Sequence, residues 1–475
     1  MSEMPKQAPS RRDAFKTAGR VAAASALAGV AIPAVHAAET SMIEIALVGC
    51  GGRGTGAAAD ALKTEKQGPI KLIAVADVLE NRQKSAVNQL ENGKLGKQLD
   101  LADDRKFIGF DAYKKAMDLL RPGSIVILGT PPAFRWPMFE YAIEKNLNVF
   151  MEKPVSVDAA SSNKILALAK KADEKNLKVA VGLMCRHCVS RKALVKQIQD
   201  GAIGDIHLLR AYRCKGPEAS SQSTKEDLQR YKTDLLNQIH RFHSFLWLSG
   251  GCYSDFLIHN IDECCWMKGE NTWPVSAKGY GGRHYKGKTV EGQYREFLDQ
   301  NFDSYSVEYT FADGAKLLLE GRTQPFCDEE FASYAHGSKK AALISVNSHS
   351  PARCRIFKDQ NINSNTRSMT NVEWKGPDQE PSPYELEWID FIDAIRNDKK
   401  YNEAHRGAMA SAITAMGRAA CHTGKTMTLE DYLKADKALA DGVDKLTLDG
   451  PSPLKADEHG KYPVPMPGRK GRSEY

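Results

Sequence analysis

The sequence predicts an α/β protein with two main domains, the first of which is a Rossmann domain that binds a dinucleotide. The chain has 475 residues, and this length exceeds what a single hydrophobic core supports. Short apolar strands alternate with helices over its first third, which is typical of a parallel sheet. A glycine-rich turn joins the first strand to the first helix, as a dinucleotide site requires.

Composition and charge exclude several classes of protein. Hydrophobic residues make up 42% and charged residues 26% of the chain, which is ordinary for a globular protein and unlike collagen or a disordered chain. The net charge is +7, and residues 1–37, with five basic and two acidic side chains, leave +4 on the remainder. So mild a balance predicts no nucleic-acid partner.

The first 38 residues are predicted to be an export signal. Arg11 and Arg12 precede an alanine-rich apolar run from Val21 to Val35, and small residues follow near Ala38. The pattern resembles a twin-arginine signal, although Ala14-Phe15 stands where Phe-Leu is usual. We expect cleavage near Ala38 and a periplasmic protein without stable membrane insertion. The apolar run is short for a transmembrane helix, and an uncleaved membrane anchor is the alternative.

The ten cysteines are scattered singly from Cys50 to Cys421. A small disulfide-stapled scaffold has a higher cysteine density, so most of them are expected to be buried thiols. Cys185 and Cys188 have the spacing of zinc ligands, but no second pair of cysteines or histidines stands at a matching distance. No metal is therefore expected.

The strongest chemical signal begins at the strand Ile43 to Val48. This strand leads into the pattern G-x-G-x-x-G, which is followed by an alanine-rich helix. Its first glycine allows a tight turn, its second lets the backbone approach a pyrophosphate, and its third lets the helix pack on the strand. The turn therefore supplies five candidate cofactor-binding residues: Gly49, Gly51, Gly52, Arg53 and Gly54.

A second strand, Ile70 to Ala76, ends at Asp77. An acidic residue here is placed to hydrogen-bond the adenosine ribose, which favours NAD. Arg53 and Arg82 lie close enough in sequence to meet a 2′-phosphate, so NADP stays open. A glycine turn in an α/β protein without a nucleotide is the other alternative.

Two further strands, Ser124 to Gly129 and Asn148 to Met151, follow the same alternation, with a helix to about Lys145 between them. Ligands of parallel sheets sit beyond the carboxyl ends of the strands. The residues that follow these two strands are therefore candidates for the cofactor edge: Thr130, Pro131, Glu152 and Lys153.

These motifs resemble the Gfo/Idh/MocA family of glucose-fructose oxidoreductases and inositol dehydrogenases, whose signatures are the glycine fingerprint, a Thr-Pro turn and Glu-Lys-Pro. The resemblance extends over nearly all of the chain after residue 42. It implies a Rossmann domain at 42–185, ending with the strand Lys178 to Met184. It also implies an α/β domain at 186–375, whose open, mainly antiparallel sheet carries the substrate site and oligomer contacts. Arg135 stands where many members have histidine, so no role is transferred to it.

The remaining pattern fits this layout. Asp313-Gly314 predicts a hairpin between the last two of four predicted strands. Residues 376–440 are predicted to hold C-terminal helices near the domain junction, and residues 441–475 to form an extended or disordered tail. The predicted elements are the strands Asp205 to Tyr212, Val275 to Gly281, Ser304 to Phe311 and Lys316 to Glu320, and the helices Pro383 to Arg396 and Glu403 to about Thr423.

A glycine-led helix is predicted from Gly250 to Trp266. At about 100° per residue, one side of it carries Asp255, His259, Asp262 and Trp266. From residue types alone, a solvated face with an Asp–His pair is as good an explanation as a site. The resemblance implies a site, because the family has Asp-x-x-x-His in such a segment and joins this pair to the lysine of Glu-Lys-Pro.

The resemblance thus implies an oxidoreductase acting on a sugar, a polyol or a keto derivative. His259 would take the hydroxyl proton, Asp255 would orient it, Lys153 would position the oxygen, and a tightly bound NAD would accept hydride. Arg186, His187 and Asp262 are candidates for substrate contacts, and a structural role of the first two at the domain junction is equally open. We also expect a homo-oligomer.

Two other functions remain open. One is a glycosidase that uses bound NAD to oxidise a sugar transiently and then reduces it again. The other is a sugar-binding protein without catalysis.

Overall fold

The computed structural model describes residues 41–469 apart from 285, 287, 291, 292 and 378, and also residue 474. The predicted export signal lies outside the described residues. Within the described part of the chain, no helix combines the length and the apolar character needed to span a bilayer.

The N-terminal domain is built on a six-stranded parallel sheet in the order β3-β2-β1-β4-β5-β6, which is the order of a dinucleotide-binding Rossmann fold. Strands β1, β4, β5 and β6 are almost wholly buried because helices cover both faces of the sheet. The strands are β1 Ile43–Val48, β2 Ile70–Asp77, β3 Lys106–Ile108, β4 Ile125–Leu128, β5 Asn148–Met151 and β6 Val179–Val181.

Every Rossmann strand predicted from the sequence is present. The edge strand β3 was not predicted, because its three residues are only partly buried and form no apolar run. The helices of this domain are α1 Gly52–Leu62, α2 Glu80–Leu90, α3 Ala112–Asp118, α4 Arg135–Glu144 and α5 Ala159–Glu174. Helix α5 begins with a capping box, in which the Asp158 side chain accepts a hydrogen bond from Ser161 N at 2.8 Å.

The C-terminal domain has a nine-stranded sheet in the order β16-β15-β14-β13-β7-β12-β11-β8-β17, in which only the β7–β12 pair is parallel. Together with the Rossmann sheet, it confirms the predicted fold class. The strands, with the separate β9–β10 hairpin, are β7 Ile206–Lys215, β8 Ser276–Gly282, β9 Lys288–Val290, β10 Gln293–Arg295, β11 Ser304–Thr310, β12 Lys316–Thr323, β13 Glu330–Gly337, β14 Ala341–Val346, β15 Arg355–Phe357, β16 Val372–Lys375 and β17 Met427–Thr428.

The remaining helices pack on this sheet and at the domain junction. They are α6 Val189–Gln199, α7 Asp234–His240, α8 Leu246–Ser249, α9 Gly251–Lys268, α10 Pro383–Arg396, α11 Ala404–Thr423 and α12 Leu429–Lys434. Helix α9 packs against β7, β13 and α11. From Gly251 to Met267 every residue except Phe256 is buried, so the alternative of a solvated helix face is wrong.

The predicted tail is anchored at its end. After the short 3-10 helix Val443–Lys445 the described part of the tail has no helix or strand, yet Glu474 is buried. Its carboxylate accepts hydrogen bonds from Arg418 Nε at 2.8 Å, Arg418 Nη2 at 2.7 Å and His422 Nδ1 at 2.9 Å. Burial alone would raise the pKa of Glu474. The charge and hydrogen bonds of Arg418 and His422 outweigh this effect and lower the pKa to about 2.

Replacing Glu474 with Gln is expected to destabilise the fold by about 3 kcal/mol at neutral pH, because it leaves the buried Arg418 charge unpaired. The folded-state pKa lies below the ordinary value of 4.5. The stabilisation by Glu474 is therefore present above that value and is lost as the pH falls through about 2. Urea unfolding across this range measures both effects. Glu458→Gln, at an exposed side chain, is the control and should change stability by less than about 0.5 kcal/mol.

Candidate active site

The glycine turn after β1 is held by close backbone packing. Gly49 has φ +93°, and a Cβ there would stand 2.5 Å from Thr130 N. A Cβ on Gly54 would stand 2.1 Å from Gly49 O. Only glycine fits at these two positions, since the turn, helix α1 and the end of β4 meet there.

Gly51 and Gly52 are glycines for a different reason. A Cβ on Gly51 would have only Arg82 Nη1 nearby, at 3.8 Å, and one on Gly52 would meet nothing within 4 Å. Gly51 lines a crevice with about 700 Å³ of space that continues into solvent, and helix α1 begins at Gly52. Open space at a helix N-terminus suits the pyrophosphate of a dinucleotide.

The crevice wall beside the turn carries Asp77 and Arg82. Asp77 accepts hydrogen bonds from Cys50 N at 2.6 Å and from Leu79 N at 2.8 Å, and burial raises its pKa. A carboxylate held this way fits the hydroxyls of a ribose, and the guanidinium of Arg82 fits a phosphate group. The wall therefore accommodates either NAD or NADP.

The C-terminal domain supplies another wall of the crevice. Ile239, in α7, and Phe242, just after it, face the crevice together with Phe110 and Tyr113 of the Rossmann domain. The segment that carries Ile239 and Phe242 lies between β7 and α9, where no motif was recognised in the sequence. Residues of both domains thus line the crevice.

Arg53 does not line this crevice. Its Nε donates to Glu152 Oε1 at 2.6 Å, and its guanidinium lies 4.5 Å from the ring centroid of Tyr384. In this structure the Arg53 charge is paired with Glu152, and the expectation that Arg53 meets a cofactor phosphate stays a prediction. Glu152 in turn forms an ion pair with Arg53.

Thr130 and Pro131 line the crevice as predicted from their place after β4. The buried Arg135 fixes this turn, since its guanidinium donates to the carbonyl oxygens of Leu128 and, at 2.7 Å, of Thr130. Burial lowers the pKa of Arg135 to about 10. Arg135 therefore has a structural contact here, in the position where the family often has histidine.

Lys153 and Asp255 meet across the domain junction. Lys153 Nζ donates to Asp255 O at 2.7 Å and lies 3.4 Å from Asp255 Oδ2. His243 Nε2 lies 3.3 Å from the same carboxylate oxygen. Burial raises the pKa of Asp255, but the charge of Lys153 and the contact with His243 outweigh it, so the pKa falls to about 2.

Asp255 was expected to orient His259, and this expectation is wrong. The backbone carbonyl of Asp255 accepts from Lys153, and its Oδ2 faces both Lys153 and His243. These two side chains reach the start of α9, while His259 lies one turn further on. His243 was missed in the sequence because nothing in its local pattern distinguishes it from other polar residues of the same segment.

His259 is buried with 6% of its surface exposed, and its Nδ1 has no hydrogen-bond partner. Its ring centroid lies 4.5 Å from that of His349. Burial lowers its pKa well below 6.5, and the positive charges of neighbours, including Lys153, lower it further. The imidazole is therefore neutral at neutral pH and able to accept a proton or another Lewis acid.

The three candidate substrate contacts are occupied by other side chains. Arg186 forms a buried bidentate pair with Asp262, with distances of 3.0 and 2.8 Å. His187 Nδ1 lies 2.7 Å from Asp390 Oδ2, and its Nε2 lies 3.4 Å from Glu403 Oε1. These contacts favour the structural role at the domain junction, and the assignment of Arg186, His187 and Asp262 to substrate stays a prediction.

All ten cysteines are free, and eight of them are buried. The expectation of buried thiols is confirmed.

Comparison with known proteins agrees with this geometry. Residues 43–182 match the Gfo/Idh/MocA family model, described as an oxidoreductase family with an NAD-binding Rossmann fold. An inositol 2-dehydrogenase of Corynebacterium glutamicum is 28% identical over 144 residues, which cover 30% of this chain and 40% of that protein. The uncharacterized oxidoreductase YrbE of Bacillus subtilis is 24% identical over 227 residues, which cover 47% and 57% of the two chains. The matched segments thus span roughly half of these relatives.

Solved structures resemble the chain over a greater length. The oxidoreductase domain protein from Kribbella flavida has a TM-score of 0.60 at 16% identity and covers 82% of this chain and 100% of its own. The myo-inositol 2-dehydrogenase from Lactobacillus plantarum has a TM-score of 0.56 at 21% identity and covers 82% and 99%. At these identities the likeness establishes the two-domain fold.

Replacing Gly49 with Ala is expected to destabilise the protein by about 3 kcal/mol or more, because the new Cβ meets backbone atoms at a positive φ. Gly52→Ala is the matched control and should cost less than about 1 kcal/mol, since the space there is open and alanine favours a helix. Denaturant unfolding of both variants measures the difference. Equal stability of the two variants would contradict the packing described for the turn.

Proposed function

We propose that the chain is an NAD(P)-dependent oxidoreductase of the Gfo/Idh/MocA family, which transfers hydride between a nicotinamide and a hydroxyl or keto carbon of a sugar or polyol. One observation carries the proposal: Lys153 and Asp255 meet from two domains at the carboxyl edge of a Rossmann sheet, within range of His259, whose pKa the charge of Lys153 lowers. Residues 43–182, which contain this sheet, match an NAD-binding family model. The names of the inositol dehydrogenase relatives support a polyol or sugar as substrate.

A chain of contacts joins the crevice to this set of residues. Phe242 lines the crevice, and its ring lies 3.8 Å from that of His243. His243 contacts Asp255, which contacts Lys153. A dinucleotide lying over Gly51 would therefore have its far end directed toward the residues proposed for catalysis.

When bound, the nicotinamide ring supplies the acceptor or donor of hydride. The Lys153 ammonium makes two hydrogen bonds to Asp255, one to its backbone carbonyl and one to its carboxylate. An ammonium has three N–H groups, and one of them remains to hydrogen-bond the substrate oxygen and stabilise its developing negative charge. The Asp255 carboxylate holds this ammonium in place.

His259 is proposed to take the proton of the substrate hydroxyl at Nε2. The buried imidazole is neutral at neutral pH, so a lone pair is available for this proton. In the reverse direction the same nitrogen returns the proton to the alkoxide oxygen as a ketone is reduced.

The second candidate is a redox-neutral glycosidase. Oxidation of one sugar hydroxyl to a ketone acidifies the neighbouring C–H, so a substituent can be eliminated before the ketone is reduced again. Such a cycle needs a cofactor that stays bound. The cover that Ile239 and Phe242 place over the crevice favours retention, and tight binding of the cofactor is part of this proposal.

We further propose that the protein is exported by the twin-arginine route and works in the periplasm as a homo-oligomer. This route carries folded proteins, which suits an enzyme that must take up its nucleotide before export.

Denaturing the purified protein is expected to release NAD or NADP, which chromatography against standards identifies. Free sugars and polyols should then reduce the bound cofactor, as followed by nicotinamide absorbance. Release of the aglycone from aryl glycosides without net reduction would instead favour the glycosidase. A protein that neither releases nor binds a nucleotide and turns over neither substrate class would contradict both and leave a sugar-binding protein.

Lys153→Met and His259→Ala are each expected to lower turnover by about 100-fold or more, because one removes the stabiliser of the oxygen's charge and the other the proton acceptor. Dinucleotide affinity, measured by calorimetry, should stay within about threefold, since neither side chain lines the crevice. Lys66→Met and His459→Ala, at exposed side chains, are the matched controls. Normal turnover in either test variant would refute its assigned role.

A further inference from the structure

Three side chains with soft ligand atoms meet beside the proposed catalytic residues. Cys185 follows β6, His259 lies in α9, and His349 lies in the loop between β14 and β15. Their ligand atoms all lie within 4.8 Å of one another, and Cys185 Sγ lies 3.7 Å from His349 Nδ1. Ligands of tetrahedral Zn²⁺, with their usual bond lengths, lie roughly 3.3–3.6 Å apart. The pair at 3.7 Å is already close to that separation, and bringing in the third atom requires a contraction of up to about 1.5 Å.

His259 has an unmet bonding capacity in this cluster. Among the described residues its buried Nδ1 has no hydrogen-bond partner, and 6% of the surface of His259 is exposed. Leaving such an atom unpaired destabilises the fold. A group that binds imidazole nitrogen would remove this cost.

Other residues hold the cluster in place. Arg191 Nη1 donates to His349 O at 2.6 Å, which fixes the loop at this point. The ring of Phe331 meets the ring of His349 edge-on, with centroids 4.8 Å apart. Cys185 is 1% exposed and lies in the turn Met184–His187. The three ligands are therefore positioned by their surroundings and not only by one another.

Each cationic side chain described beside the cluster contacts a carboxylate, and Arg213 and Lys215 share Glu218. Arg213 lies 3.5 Å from His349 Nε2, on the side of the ring away from the atom that faces Cys185. Each nearby cation is paired with a carboxylate: Lys153 with Asp255 at 3.4 Å, Arg191 with Glu263 at 2.7 Å and Arg213 with Glu218 at 3.1 Å. A bound dication would thus face ion pairs.

We propose that Cys185, His259 and His349 form a binding site for a soft divalent transition metal, with Zn²⁺ as the expected ion. One sulfur and two imidazole nitrogens suit Zn²⁺ and not Mg²⁺ or Ca²⁺, which prefer oxygen ligands. Three protein ligands leave the fourth tetrahedral position for water or another small ligand.

The site has a consequence for catalysis that rests on the proposed function. A neutral imidazole has one nitrogen lone pair to offer, so a dication on one nitrogen of His259 leaves the other nitrogen as N–H, unable to accept the hydroxyl proton. Zinc and the hydroxyl proton then compete for the same imidazole. Bound zinc is expected to inhibit hydride transfer.

Zinc binding is tested on the full-length protein after treatment with EDTA. Equilibrium dialysis against Zn²⁺ followed by metal analysis should give one ion per chain for the wild type. Cys185→Ser and His349→Asn should each bind at least about 10-fold more weakly, because each lacks one of three ligands. Cys327→Ser is the matched control: it removes the exposed thiol, where an adventitious ion would bind, and should leave the stoichiometry unchanged.

Cobalt provides a readout in the wild type itself, which does not require a variant to fold. Co²⁺ added to the wild type should give a thiolate-to-cobalt charge-transfer band, which shows a cysteine among the ligands, and a folded Cys185→Ser variant should lack this band. A wild type that binds neither zinc nor cobalt, or whose binding is lost only in Cys327→Ser, would overturn the proposal.

Inhibition is measured as the ratio of turnover with and without Zn²⁺, using a substrate found for the oxidoreductase. The wild type should lose at least about 10-fold and recover with EDTA, and Cys185→Ser should lose much less. Failure to find any substrate would count against the proposed function alone, because dialysis and the cobalt spectrum decide the metal site without turnover. Zinc bound at one ion per chain without inhibition would overturn only the consequence for catalysis.

Discussion

The contact between Lys153 and Asp255 is the interaction on which the candidate site depends. Lys153 leaves the buried edge of the Rossmann sheet, and Asp255 lies near the start of the buried helix α9 of the other domain. Their hydrogen bond and ion pair, at 2.7 and 3.4 Å, join the two domains. Both charges are largely removed from water, so separating them would leave each unpaired at a cost of several kcal/mol.

The surrounding junction follows the same rule, because its buried charges are paired. Arg186 is neutralised by Asp262, and His187 lies between two carboxylates. These pairs hold β6, α9 and the C-terminal helices in one arrangement. A rigid junction of this kind can position a proton acceptor and a hydrogen-bond donor on one substrate oxygen, which catalysis of hydride transfer requires.

Within the described residues, His259 Nδ1 is one of the buried polar atoms of this region that have no hydrogen-bond partner. A buried imidazole kept neutral by its surroundings is a proton acceptor, and next to a thiol and a second imidazole it is also a metal ligand. The proton and the metal ion compete for the one basic lone pair of this imidazole. The local environment of a single histidine thereby connects the proposed redox chemistry to the proposed metal site.

Local signals in the sequence predict the Rossmann domain, four of the nine strands of the second sheet, the helix carrying Asp255 and His259, and the long C-terminal helices. These signals are glycines demanded by backbone contact, apolar periodicity and turn residues. Which charged groups meet became known from the folded chain alone. It paired Asp255 with His243, Arg53 with Glu152 and Glu474 with Arg418, and it brought His259 and His349 to Cys185. Each of these contacts joins residues far apart in the chain, and neither spacing nor composition specifies such a distance.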